Sequence, residues 1–158
     1  RYREQFDFLR ENGIATQGDA AALLARTEET LANLMKQRTI LNVRKKKRRK
    51  LYAALADVEA LAPAKALYED GLSGMEAEFA RYMEAVAVLE GCSIPRERLR
   101  LEKAEIYEQV AEINRQIRAE RKKLALCRDI LDRLPQMEQD IKKIEMKDEV
   151  IHDDSRRR

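Results

Sequence analysis

Between Arg96 and Lys147 apolar residues recur at Leu99, Ile106, Val110, Ile113, Ile117, Leu124, Cys127, Leu131, Leu134, Ile141 and Ile144. Most steps are three, four or seven residues, which places them on one stripe of an α-helix. Glu, Lys, Arg and Gln fill the intervals and favour the same conformation. Such a helix is a rod of roughly 75 Å. It cannot bury its own stripe, so another part of the chain must cover it.

Composition narrows the choice of partner. Charged residues are 39% of the 158, aromatics 5%, Trp is absent, and there are only five Gly and three Pro. That balance belongs to long helices and coiled coils and leaves too few turn residues for a β-rich fold. The core has to be seams of Leu, Ile, Val and Ala.

The partner is the segment before Pro63. Ala20, Leu24, Thr27, Leu31, Leu34, Arg38, Leu41, Lys45, Arg48, Tyr52 and Leu55 follow at alternating steps of four and three, the spacing of a coiled-coil seam. Three of these seam positions are basic. Thr16 three residues before Asp19 is a weakened capping box that opens this helix, and Pro63 is expected to end it. Before it, residues 2–12 read as a short helix closed by a left-handed Gly13, with Phe6, Leu9 and Phe8 on its inner side.

Beyond Pro63, residues 64–70 read as a short helix stopped by Gly71. Ser73 is the expected cap of a helix over 74–90 with Met75, Phe79, Met83, Val86 and Leu89 inward. Tyr68 and Tyr82 are expected to pack near this bend. Gly91 stops that helix, and Pro95 opens the long rod near its first turn. Pro135 reads as a kink rather than a stop.

The expected fold is all-α: an elongated antiparallel coiled-coil-like hairpin of two long helices, with short helices thickening the ends. Its segments are 1–15 (N-terminal helix and turn), 16–62 (long helix), 63–94 (short-helix insert), 95–147 (kinked long helix) and 148–158 (disordered tail). Because residue 1 is Arg rather than Met, the sequence reads as a fragment of a larger chain.

Arg44, Lys45, Lys46, Lys47, Arg48, Arg49 and Lys50 are seven successive cations. On a helix they surround the axis over almost two turns. Like charges four residues apart repel, so the run sacrifices stability. A second cluster, Arg115, Arg118, Arg121, Lys122 and Lys123, lies on the rod and in a hairpin falls within a few turns of the first. Three readings are open. The cations contact DNA phosphates without sequence readout; or they form a solvated face paired with Glu102, Glu105, Glu108 and Glu112; or the run is a targeting signal. No aromatic residue interrupts the run, so stacking on bases is not indicated.

Catalytic chemistry is not indicated, and no cofactor is expected. His152 stands alone beside Asp153 and Asp154, without the further ligands a metal needs. There is no phosphate-binding Gly loop, CxxC pair or nucleophile elbow. Cys92 and Cys127 read as free thiols, Cys127 as a core residue. No apolar run is long enough to span a membrane.

Three stretches carry a resemblance: Phe8-Leu9-Arg10-Glu11-Asn12-Gly13-Ile14 with Thr16; Leu67-Tyr68-Glu69-Asp70-Gly71; and Ile113-Asn114-Arg115-Gln116-Ile117-Arg118, followed by Arg121-Lys122-Lys123-Leu124 and Leu126-Cys127-Arg128-Asp129-Ile130. Together they resemble the helical C-terminal region of relaxases, the mobilisation nucleases of conjugative and mobilisable elements in Gram-positive gut bacteria. The resemblance implies a cytoplasmic parent protein that nicks DNA with a tyrosine nucleophile and a histidine-bound metal. Both would lie in an N-terminal domain, so no catalytic residue carries over. It implies an accessory role here, holding DNA or relaxosome proteins. The competing expectation is a structural module that homodimerises or docks another protein through an exposed apolar stripe.

Overall fold

A computed structural model describes the backbone of residues 2–156. The side chains of 137, 138, 140–142, 144, 145 and 148–156 fall outside the described residues. So do the stripe positions Ile141 and Ile144 and the group around His152. Five helices follow in order, and no strand occurs among the described residues: α1 (Tyr2–Glu11), α2 (Gln17–Lys47), α3 (Arg49–Glu69), α4 (Glu76–Glu90) and α5 (Arg96–Arg156). The all-α expectation holds, and α2 packs with α5 as the two stripes require. No described helix is long and apolar enough to cross a membrane.

Local signals act where the sequence places them. Gly13 has φ +64°. The Ile14 N–H reaches the Leu9 carbonyl (2.9 Å) and the Gly13 N–H the Arg10 carbonyl (3.3 Å), the paired bonds of a Schellman cap. At the start of α2 the Thr16 hydroxyl accepts from the Asp19 N–H at 3.1 Å. The Asp19 carboxylate in return accepts from the Ala15 and Thr16 N–H groups, both at 3.1 Å. The bonds from Ala15 and Thr16 hold the Asp19 carboxyl below its ordinary pKa. At Gly71, φ is +90° and a second Schellman cap joins Leu72 N–H to Leu67 O and Gly71 N–H to Tyr68 O, both at 3.0 Å.

Four boundaries differ from expectation. The helix expected over 16–62 is divided at Arg48, whose φ of −93° and ψ of 2° separate α2 from α3. Pro63 lies inside α3, so the expected short helix 64–70 is the end of that helix. Pro63 and Glu59 are both exposed residues, and on an exposed face water can satisfy a carbonyl that loses its helical partner, which lowers the cost of the proline. The far end of α3 is also held by Tyr68, stacked on Phe79 of α4 with centroids 4.1 Å apart. Ser73 is not the cap of α4; Met75 occupies that position without a side-chain bond, and the Gly74 N–H donates to Glu76 Oε2 at 3.0 Å. Finally, α5 runs without interruption through the exposed Pro135 and past Lys147 to Arg156, where a disordered tail was expected.

Contacts divide the chain into two compact units, Arg1–Leu34 with Gln116–Arg158, and Met35–Arg115. In the first, Ala20, Leu23, Thr27 and Leu34 of α2 are buried with Ile117, Leu124, Cys127 and Ile130 of α5. Helix α1 docks through Gln5, whose amide donates to Asp129 at 2.7 Å. Phe6, expected inward, is exposed, and Gln5 takes the buried position. Cys127 is buried and Cys92 half-buried, both as free thiols; burial pushes the Cys127 thiol up.

In the second unit Tyr52, Ala54 and Leu55 of α3, Ala85 and Leu89 of α4, and Leu99 and Ile106 of α5 form one core. In helix α4 and at its N-cap, Leu89 is buried and Met75, Phe79 and Val86 are half-buried as expected, but Met83, expected inward, is exposed and Ala85 is buried. Small residues on both sides, Ala54 and Ala85, allow α3 and α4 to approach closely.

Replacing Thr16 with Ala removes the α2 cap and is expected to cost about 1 kcal/mol, measurable by chemical unfolding. Asp19 has a depressed folded pKa. Its contribution is therefore complete above the unfolded carboxyl value near 4 and disappears as pH falls through the lower folded value. The Thr16→Ala penalty should shrink in that acid window.

Candidate nucleic-acid interface

The basic run lies where α2 meets α3, and its cations separate into two groups. The seam rhythm read from the sequence continues across the break: Leu41, Tyr52 and Leu55 are buried, and Arg38, Lys45 and Arg48 are half-buried. Each of these three cations meets a specific group on α5. Arg38 Nη1 donates to Asn114 Oδ1 at 3.2 Å. Lys45 Nζ sits 4.1 Å from the centroid of the Tyr107 ring, a cation–π contact. Arg48 Nε donates to Glu102 Oε1 at 2.9 Å. Residue numbers rise along α2 and α3 as their partners fall along α5, so the pairing here is antiparallel.

Glu102 is the most constrained group of this seam. Its Oε1 also accepts from the Tyr52 hydroxyl at 2.8 Å, and Lys103 Nζ donates to the Tyr52 carbonyl at 3.4 Å. Tyr52 is buried. Burial first, then the hydrogen bond to Glu102 and its negative charge, push the Tyr52 phenol up to about 12. The Tyr52 hydroxyl, with Arg48 and Arg44 nearby, holds the Glu102 carboxyl below its ordinary value despite partial burial. A phenol held neutral in this way is a structural donor and a poor nucleophile.

The division at Arg48 follows from the same charges. Arg44 and Arg48, Lys45 and Arg49, and Lys46 and Lys50 are like-charged pairs four apart, each costing tenths of a kcal/mol in a continuous helix. Ending α2 at Lys47 places Arg44, Lys45, Lys46 and Lys47 in a last helical turn, where the helix dipole favours cations. The break is confined to one residue. Arg48 N–H still donates to Arg44 O (3.2 Å), and its carbonyl accepts from Tyr52 N–H (2.9 Å).

The other five cations, Arg44, Lys46, Lys47, Arg49 and Lys50, are exposed. Among the described residues none of the five makes a salt bridge. Arg44 lies within electrostatic reach of Glu102. Lys50 borders an open groove between α3 and α4 that also presents Asp57, Arg81 and Glu84, with Arg81 3.8 Å from Asp57. Of the acids expected to neutralise the run, Glu102 takes Arg48 and Glu112 takes Arg115, whose Nε donates at 2.9 Å. The run is thus neither wholly solvated nor wholly paired.

The residues of the second cluster divide between the two units. Arg115 is bound to Glu112 within the second unit, whereas Arg118, Arg121, Lys122 and Lys123 belong to the first. There Lys122 lies 3.7 Å from Glu4 of α1, and Lys123 is half-buried. Arg118 and Arg121 are exposed without a salt bridge among the described residues.

Sequence reasoning missed Tyr107 and Asn114 as partners of the seam cations. Tyr107 follows the stripe residue Ile106 and stands off the stripe, so periodicity gave no reason to single it out. Among the described residues no cluster of His, Cys, Asp and Glu could hold a metal ion. Comparison with protein-family models, curated proteins and solved structures finds no match for this chain.

In an alkaline spectrophotometric titration one of the five tyrosines should ionise near 12, and Glu102→Gln should lower that value. Because the folded Tyr52 pKa is raised, its contribution to stability is full below the unfolded value near 10 and is lost as pH rises through about 12.

Proposed function

We propose that this chain is a non-catalytic accessory helical region of a relaxase-type mobilisation nuclease of the cytoplasm. It would contact the DNA backbone through Arg44, Lys46, Lys47, Arg49 and Lys50 and hold relaxosome proteins beside it. One observation supports the DNA reading above all. The five cations of the run that the seam does not use are exposed and carry no salt bridge among the described residues. A run that served only to pair with α5 would need Lys45 and Arg48, which already have their partners.

The chemistry is that of an anionic polymer on a cationic collar. Each lysine or arginine that meets a phosphate releases a condensed counterion, which gives affinity that depends on salt and little on sequence. Cations around a helix end position a duplex without reading base edges. In the first unit Arg118 and Arg121 are the residues of the second cluster suited to a separate phosphate contact, since Lys122 is engaged with Glu4.

Lys45 and Arg48 are set apart from this role because replacing them would disturb the seam. The informative variant changes Arg44, Lys46, Lys47, Arg49 and Lys50 to Gln. Duplex DNA binding by the parent chain should weaken with salt at a log–log slope of about −4.5, as five neutralised phosphates require. In the quintuple variant binding should be lost while the helical circular dichroism is unchanged. Retained binding in a folded variant removes the run from the account.

A further inference from the structure

The second unit carries two exposed stripes with the same rhythm and opposite charge. On α2, Lys36, Ile40, Val43 and Lys47 follow at steps of four, three and four, on the side of the helix opposite the seam residues Leu34, Arg38, Leu41 and Lys45. All four are exposed, Ile40 at 61% and Val43 at 48%. On α4, Glu76, Ala80, Met83, Ala87 and Glu90 follow at steps of four, three, four and three. All five are exposed, Met83 at 47%. Each stripe is apolar at its centre and charged at its ends. The ends are lysines on α2 and carboxylates on α4.

A single exposed leucine needs no explanation. Two β-branched residues at successive positions of an exposed heptad rhythm are different, because they bring no helix propensity that would favour them on a wet face.

We propose that the two stripes are each other's partner between copies of this chain, α2 of one copy lying on α4 of a second copy. Met83 is flexible enough to fill the space beside Ile40 and Val43, and Ala80 and Ala87 on either side allow the helices to come close. Lys36 and Lys47 then meet the carboxylates at the ends of the α4 stripe. One of these, Glu76, also accepts the Gly74 N–H at 3.0 Å and so is held at the start of its helix. Charge selects this pairing against the symmetrical ones. An α2 stripe on another α2 stripe opposes lysine with lysine, and α4 on α4 opposes carboxylate with carboxylate. Made twice and reciprocally, the contact closes an isologous dimer; made once per copy, it is heterologous and continues as an open chain. Three or four helical turns on each side make a small interface, so the association is weak and salt-dependent. It does not rest on the DNA reading, although both use Lys47.

Sedimentation velocity of the whole chain at rising concentration, in low and in high salt, tests the pairing. The wild type should gain mass with concentration at low salt and return to monomer at high salt. Lys36→Glu with Lys47→Glu should remain monomeric, and so should Glu76→Lys with Glu90→Lys. Glu90→Lys alone, which leaves the Gly74 bond intact, should weaken association. An equimolar mixture of the two double variants should associate again, since every stripe then meets its opposite. A wild type that is monomeric at every concentration and salt overturns the proposal. So does association that survives both reversals, or a mixture that stays monomeric.

Discussion

The polar stretch of the seam, Arg38 on Asn114, Lys45 on Tyr107, and Arg48 with Tyr52 on Glu102, is the constraint on which the second unit depends. An all-apolar seam of Leu and Ile would allow α2 to slip along α5 by one heptad at little cost. A half-buried guanidinium or ammonium has no such freedom, because a slip leaves it facing an apolar neighbour with its charge unmatched. The polar positions weaken the seam relative to leucine and fix its register, as single polar residues do in coiled coils.

That register also decides which cations are available to anything else. In a uniform helix seven cations form a continuous collar. Here Lys45 and Arg48 turn inward, the helix is divided at Arg48, and the remaining five stay outside. The cations visible in the sequence therefore fall into two sets, and only the outer set is open to an anionic partner. The same outer side of α2 carries Ile40 and Val43, so the region where charge is concentrated is also where the unit leaves apolar side chains uncovered.

Periodicity made the seam legible. Ala20, Thr27, Leu34, Leu41, Tyr52 and Leu55 are buried as their spacing requires, with Arg38, Lys45 and Arg48 half-buried between them. The caps at Gly13 and Thr16 were legible because they depend on a few local bonds. What escaped was decided by tertiary contact. Pro63 is a helix stop by local rule, and it was tolerated because Glu59 faces water and the stack of Tyr68 on Phe79 holds the helix beyond it. Of the five positions of α4 expected inward, Met83 alone departed, because the core that holds Ala54 takes the small Ala85 instead. The break at Arg48 could be anticipated as a repulsive stretch, but seven successive cations repel alike and do not single out one residue for it. Of the candidate site, the run was legible as charge. Its division into paired and unpaired cations was not, because Tyr107 and Asn114 stand off every stripe.

A double-mutant cycle on Arg48 and Glu102 tests whether the polar seam sets the register. Unfolding free energies of Arg48→Gln, Glu102→Gln and the double variant are compared with the parent chain. The side chains are 39% and 25% exposed, so the pair is partly screened, and a coupling of about 1 kcal/mol is expected, at the upper end for exposed pairs. If the two single changes add without coupling, Arg48 does not meet Glu102. The register described here, and the separation of inner from outer cations that follows from it, would then be wrong.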